Sequence, residues 1–259
     1  MIVEVMGYNT KMPTPERFQK LGNVLEFAVE HLYNLQVPPE TLKSISLLEE
    51  CLKKDSAVVY FNHICLDDDF LVLALLLKKV RSISAIGGPG SKKHYDFREG
   101  LMNGLVMRLA SSLGIEVIPL VQHYDREAYS KEERFLSYLH FIRTAKRILN
   151  QPGGGLFIAP EGTRSPDGVL QSGQEGIGAV SKLNKRIWFV PVGVIPQGQF
   201  SLKLNCHLNR SQAGKFEIKM GNPFQLEESI RKMPRAKITK TLMQELACLL
   251  PQKMRGNYT

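Results

Sequence analysis

The sequence predicts an α/β fold: a mainly parallel sheet flanked by helices, preceded by an N-terminal helical cap. Three observations carry this. From residue 57 onward, β-rich runs alternate with segments of helical periodicity, the order that builds parallel sheets covered by helices. The 259 residues are 43% hydrophobic and 23% charged, an ordinary globular balance with enough chain for a sizeable core. No internal repeat, low-complexity tract or long linker interrupts the alternation.

Thr14-Pro15-Glu16 has the form of a helix start, with a capping hydroxyl, Pro in the first turn and an early acid. Phe18, Leu21, Val24, Leu25, Ala28 and Leu32 then recur at helical spacing. Pro38-Pro39 breaks the pattern, and Leu42, Ile45, Leu48 and Leu52 mark a second amphipathic helix. These two helices form the predicted cap, residues 1–53, and the main domain is 54–259. Within it strands are expected at 57–61, 82–86, 115–121, 156–159 and 187–194, with later strands at 203–208 and 215–220 forming an edge hairpin. Helices are expected at 67–80, 98–113, 174–184 and 236–250. Ser130-Lys-Glu-Glu133 reads as a capping box opening a long helix that ends near Asn150.

The net charge of +9 calls for an anionic partner. The Lys and Arg residues are scattered, and no nucleic-acid module is present, so nucleic acid is not among the partners expected. The four cysteines show neither CxxC nor Cys/His metal spacing, which points to reduced thiols and a cytoplasmic or plastid-stromal setting. No metal site or signal peptide is expected. The longest apolar run, Phe70 to Leu77, would span about 17 Å as a helix even if extended to Val80, against about 30 Å of hydrocarbon. The basic run Arg231, Lys232, Arg235, Lys237 and Lys240 is either a solvated face or a peripheral contact with anionic lipid.

Two segments carry chemistry. Val58 to Phe61 is a buried strand that ends in Asn62-His63, with Asp67, Asp68 and Asp69 following where the next helix begins. Ligand loops lie at this end of parallel strands. Asp68, five residues on, can orient one ring nitrogen of His63 and leave the other free to accept a proton. When the segment stands alone, a strand-capping His beside a helix-capping Asp67 accounts for it better. The second segment, Ala159 to Ser165, is a strand end followed by a polar turn. Arg164 there suits paired hydrogen bonds to phosphate, and Glu161 is placed to hold either that Arg or a neighbouring loop.

Together, Asn62-His63-x4-Asp68 and Pro160-Glu161-Gly162-Thr163-Arg164-Ser165 resemble the glycerolipid acyltransferase family, which includes lysophosphatidate and glycerol-3-phosphate acyltransferases. Phe189 to Val194 is similar to the last block of that family, and the order of the blocks agrees. The resemblance covers roughly residues 55–200 and implies that the main domain, 54–259, is an O-acyltransferase, with fatty acyl carried by acyl carrier protein or coenzyme A and no further cofactor. It implies direct transfer to a hydroxylated lipid precursor, with His63 as general base, Asp68 orienting it, and Glu161, Gly162, Thr163 and Arg164 holding the acceptor through its phosphate. Ser91-Lys92-Lys93-His94 looks like a stretch of the soluble plant-type members, which adds Lys92, Lys93 and His94 to the substrate contacts; a solvated basic loop is the other reading. The chain departs from the pattern at Gln122, where an Arg is usual, and at Ala159, where a Phe is usual. The first departure also admits a non-phosphorylated acceptor; a lipid- or carrier-binding protein without catalysis and a hydrolase of the same thioesters are the rival readings.

Overall fold

The computed structural model describes residues 16, 18, 21–23, 34–64, 68–92, 110, 114–197 and 215–258. Seven strands form one sheet: β1 (Asn34–Gln36), β2 (Ser56–Phe61), β3 (Ala85–Ser91), β4 (Ile115–Leu120), β5 (Gly154–Ile158), β6 (Ile187–Gln197) and β7 (Lys215–Met220). Their order is β1-β7-β6-β2-β5-β3-β4. Strands β2 to β6 are mutually parallel, β7 runs antiparallel to β6, and β1 pairs parallel with β7. The predicted α/β class, a mostly parallel sheet flanked by helices, is therefore present.

The helices are α1 (Pro39–Leu52), α2 (Asp68–Lys79), α3 (Lys131–Leu149), α4 (Gly176–Val180), α5 (Glu228–Arg231) and α6 (Arg235–Leu249). Strand β2, buried at every position, lies at the centre, as a continuous apolar run in a sheet covered on both faces should. Helix α1 is joined to the sheet edge by Thr41, whose hydroxyl donates to the Ile218 carbonyl and accepts from the Met220 N–H. Helix α1, with Ile45, Leu48 and Leu52, shares one continuous core with the sheet and α6. The described residues of the first predicted helix, 16, 18 and 21–23, are helical. Phe18 and Leu21 are buried in the same core. The rest of that helix, most of 98–113 and the strand expected at 203–208 lie outside the described residues.

Several boundaries differ from expectation for identifiable reasons. Pro38 and Pro39 stand between the two helices as expected and also open α1, Pro38 as the cap and Pro39 at its first position, where a missing N–H costs nothing. Strand β3 begins three residues late, because the Glu49 carboxylate holds the Arg81 and Ser82 N–H groups and the Ser82 hydroxyl in a turn. It then runs on through Gly87-Gly88-Pro89-Gly90, a segment with the composition of a loop. Close neighbours explain this, since a side chain at Gly88 would collide with the Phe157 carbonyl oxygen. The helix expected over 174–184 contracts to the short α4, where a Cβ at Gly178 would strike the Arg235 carbonyl. Strand β7 pairs with β6, and β1 at the edge has no counterpart in the sequence reading. The capping box at Ser130 and Glu133 is formed with both reciprocal bonds.

Gly88→Ala should therefore destabilise the fold by about 1–3 kcal/mol through overpacking. Thermal unfolding would register this as a fall of several degrees, and an unchanged Tm would show that β3 can move away from β5.

Candidate active site

Strands β2 and β5 are neighbours whose outgoing connections run in opposite directions. The chain leaving β2 passes β5 to reach β3, and the chain leaving β5 passes β2 to reach β6. Beyond the carboxyl ends of such a pair the loops part and leave a crevice, the usual ligand position in open α/β sheets. His63 follows β2 and Glu161 follows β5, so the two sequence segments meet there.

Six hydrogen bonds assemble the crevice. One oxygen of the Glu161 carboxylate accepts from the His63 N–H at 2.7 Å, and the other accepts from the Gln171 N–H at 2.7 Å. The Ser165 N–H donates to the His63 carbonyl at 2.7 Å. His63 Nδ1 lies 2.8 Å from Asp68 Oδ1. The second Asp68 oxygen accepts from the Ile64 N–H at 2.6 Å, and Oδ1 also accepts from the Asp69 N–H at 3.0 Å. Asp68 is fully buried in the first turn of α2, where the positive helix end favours an anion. An acceptor-only carboxylate facing Nδ1 assigns the proton to Nδ1 and leaves Nε2 as the nitrogen available for chemistry. The ring remains 20% exposed, so a reactant can reach it.

Burial alone would lower the His63 pKa, but the hydrogen bond to Asp68 and the charges of Asp68, Asp69 and Glu161 outweigh it and set the imidazole at about 9. Burial pushes Glu161 up to about 7, against the two backbone N–H donors, which favour its ionised form. Glu161 thus bridges two loops from inside the protein, 2% exposed, and has both oxygens engaged by backbone. Of its two predicted uses the loop is the one observed, and Arg164 stands apart from it.

Thr163 and Arg164 project from the same turn and are exposed, and Arg164 makes no ion pair with another described residue. Gly162 sits at φ +68°, a conformation that favours glycine, with Gln122 beside it. Lys92 reaches this edge of the sheet at the end of β3, yet its ammonium lies 3.5 Å from a Glu133 oxygen and 4.6 Å from the Tyr129 ring centre. Asp67, Lys93 and His94 lie outside the described residues. Of the basic run near the C-terminus, Arg231 donates to the Lys185 and Asn184 carbonyls, Lys232 pairs with Glu228, and Arg235 donates to the Tyr138 hydroxyl.

The sequence reading did not assign roles to three structural features. Buried Asn62 mimics one further ladder step, donating to the Val194 carbonyl at 2.9 Å and accepting its N–H at 2.7 Å. It carries β2–β6 pairing past the last strand pair, Phe61 with Val192, and fixes the direction in which His63 leaves the sheet. Gln171 supplies only its backbone N–H to Glu161, a role that leaves no side-chain signature. The C-terminal turns clasp the 161–173 loop: Leu170 N–H donates to the Met254 carbonyl, and Gly173 N–H donates to the Tyr258 hydroxyl at 3.1 Å.

His63, Asp68 and Asp69 each offer a ligand atom within 4.8 Å of the others. Both Asp68 oxygens already hold backbone N–H groups and Oδ1 also faces His63 Nδ1, so the pair suits proton transfer better than a cation. No helix among the described residues is long and apolar enough to cross a membrane. Compared with known proteins, the chain matches no family model, and no curated protein matches it in sequence.

The perturbed groups fix the sign of a pH effect on stability. His63, raised from 6.5 to about 9, stabilises the fold fully below pH 6.5 and loses that contribution as pH rises through 9. Glu161, raised from 4.5 to about 7, favours its protonated form when folded, so its contribution is full below pH 4.5 and lost through 7. Calorimetric melting temperatures should fall between pH 5 and 9.5, and His63→Ala should flatten the part above 6.5. A wild-type profile that rises over this range would contradict the assignment.

Proposed function

We propose that this chain is an O-acyltransferase that moves a fatty acyl group from an acyl carrier protein or coenzyme A thioester to a hydroxyl of glycerol 3-phosphate or lysophosphatidate. The observation that carries the reading is the pair of His63 Nδ1 and buried Asp68 at 2.8 Å, standing where the loops after β2 and β5 part. The resemblance of Asn62-His63-x4-Asp68 and Pro160 to Ser165 to glycerolipid acyltransferases supports it, and so does the Glu161 bond that joins the two motifs.

In the proposed reaction His63 Nε2 takes the proton of the acceptor hydroxyl as its oxygen attacks the thioester carbonyl carbon. The carbon–sulfur bond then breaks, and the imidazolium returns the proton to the departing thiolate. Asp68 holds the ring in the required tautomer and stabilises the imidazolium. Thr163 and Arg164, exposed on the turn beyond Glu161, are positioned to meet an anionic acceptor, and Arg164 offers a planar fork for phosphate.

A second reading, a non-phosphorylated acceptor, draws on two observations. Gln122 occupies the position beside Gly162 where the family usually has an Arg, and Lys92 is already engaged by Glu133 and Tyr129. Turnover with the two acceptor classes separates the readings, and thioester binding without turnover would favour a non-catalytic carrier-binding protein.

His63→Ala should lower kcat by about 10²- to 10⁴-fold while the fold is retained, and Asp68→Asn should be severe as well. Because the base must be neutral and its pKa is held near 9, kcat/KM should climb with pH towards that value. Activity within threefold of wild type in His63→Ala would remove this residue from catalysis.

With a phosphorylated acceptor, Arg164→Ala should raise the acceptor KM by about ten- to a hundredfold, the worth of a charge-assisted contact, and leave the donor KM nearly unchanged. Steady-state kinetics with both substrates varied checks this. A rise in donor KM alone would instead assign Arg164 to the carrier, and no change in either would favour the second reading.

A further inference from the structure

We propose that the first two turns of α3 are a membrane-docking surface for an anionic phospholipid bilayer, with Phe135 and Leu136 as the inserted side chains. Phe135 is 62% exposed and Leu136 52%, the two most exposed large hydrophobic residues among those described. They are adjacent in sequence and project from a convex helix surface, an arrangement that soft lipid accommodates without the pocket a rigid partner would need. The exposed Leu42 and Leu47 on α1 are separated along their helix and lack this concentration.

Charge complements the apolar pair. Over Lys131–Leu149 the helix carries Lys131, Arg134, Arg143, Lys146 and Arg147 against Glu132 and Glu133. Glu133 is answered by Lys92, and Arg147 by Glu116. Lys131, one turn before Phe135, is exposed, as are Arg143 and Lys146 two to three turns further along the same helix. A helix that combines exposed apolar groups with cations is suited to lie on anionic lipid. The basic run at 231–240 suits this role less well, since Arg231, Lys232 and Arg235 are bonded within the fold.

Position links the surface to the site. Ser137 Oγ accepts the Val121 N–H just past the end of β4, and Lys92 after β3 meets Glu133, so the start of α3 stands at the same carboxyl edge of the sheet as His63. Strand β3 is two strands from β2, about 10 Å at the usual spacing. A bilayer contacted by Phe135 and Leu136 would present its headgroups beside the crevice. The use of the surface to collect a lipid acceptor rests on the proposed acyl transfer, but its affinity for lipid does not.

The test is vesicle sedimentation with phosphatidylcholine alone and with phosphatidylcholine containing phosphatidylglycerol, at low and physiological salt. Wild type should bind the anionic vesicles, more weakly as salt is raised. Phe135→Ser/Leu136→Ser, with its Tm checked, should lose at least tenfold in affinity. Phe135→Trp provides a second reading that needs no loss of function, its fluorescence shifting to the blue on anionic vesicles. Double-variant binding equal to wild type, or no spectral shift, would overturn the proposal. So would a wild-type dimer, or retention on immobilised acyl carrier protein, that the double substitution abolishes while leaving vesicle binding intact. Given vesicle binding, transfer to vesicle-borne lysophosphatidate should fall in the double variant while transfer to glycerol 3-phosphate persists. Absence of both transfers in wild type would count against acyltransferase activity alone.

Discussion

The buried Glu161 carboxylate is the tie on which the site depends. Loops leaving β2 and β5 diverge by topology, so nothing in the sheet keeps them together beyond the strand ends. One Glu161 oxygen holds the loop that bears His63, and the other holds Gln171 on the far side of its own loop. Desolvating a carboxylate is expensive, as its displacement to about 7 records. Two backbone N–H groups and the nearby His63 offset part of that cost, which is the usual condition for an acid to remain buried.

Asp68 works on a different scale. It faces a single ring from the first turn of α2, so its contact with His63 was legible from a spacing of five residues. The central strand was equally legible: Val58 to Phe61 is an unbroken apolar run, and only a position covered on both faces suits it. The long helix after Ser130 followed from its capping box. Each of these signals is local, contained within a few residues, which is why sequence could carry it.

What escaped the sequence depends on distant partners. Gly87 to Gly90 has loop chemistry, yet it pairs with β4 over its whole length, and Ile148 and Phe157 leave no room for side chains at Gly87 and Gly88. The two prolines at 38 and 39 punctuate a sequence in either direction, and only packing of α1 on the sheet shows that they begin a helix. The edge strand β1 has three residues, too few for any period to emerge. Asn62 stands beside the candidate base, but its partner is Val194 across the neighbouring strand, a pairing no spacing rule encodes. The same holds for Lys92, whose engagement by Glu133 depends on where α3 begins.

The clasp formed by Met254 and Tyr258 carries a consequence for how the protein comes into being. His63 and Glu161 are separated by 98 residues, and the Gly173 bond to Tyr258 spans a further 85. On a ribosome, which releases the chain from its N-terminus, the segments that bear His63 and Glu161 emerge before the turns that fasten the loop after β5. The sheet can gather early, but the loop after β5 receives these supports only once the turns at 252–258 have emerged. The candidate site is therefore completed after the turns at 252–258 have emerged, and a nascent chain carries His63 before the loop after β5 is fastened.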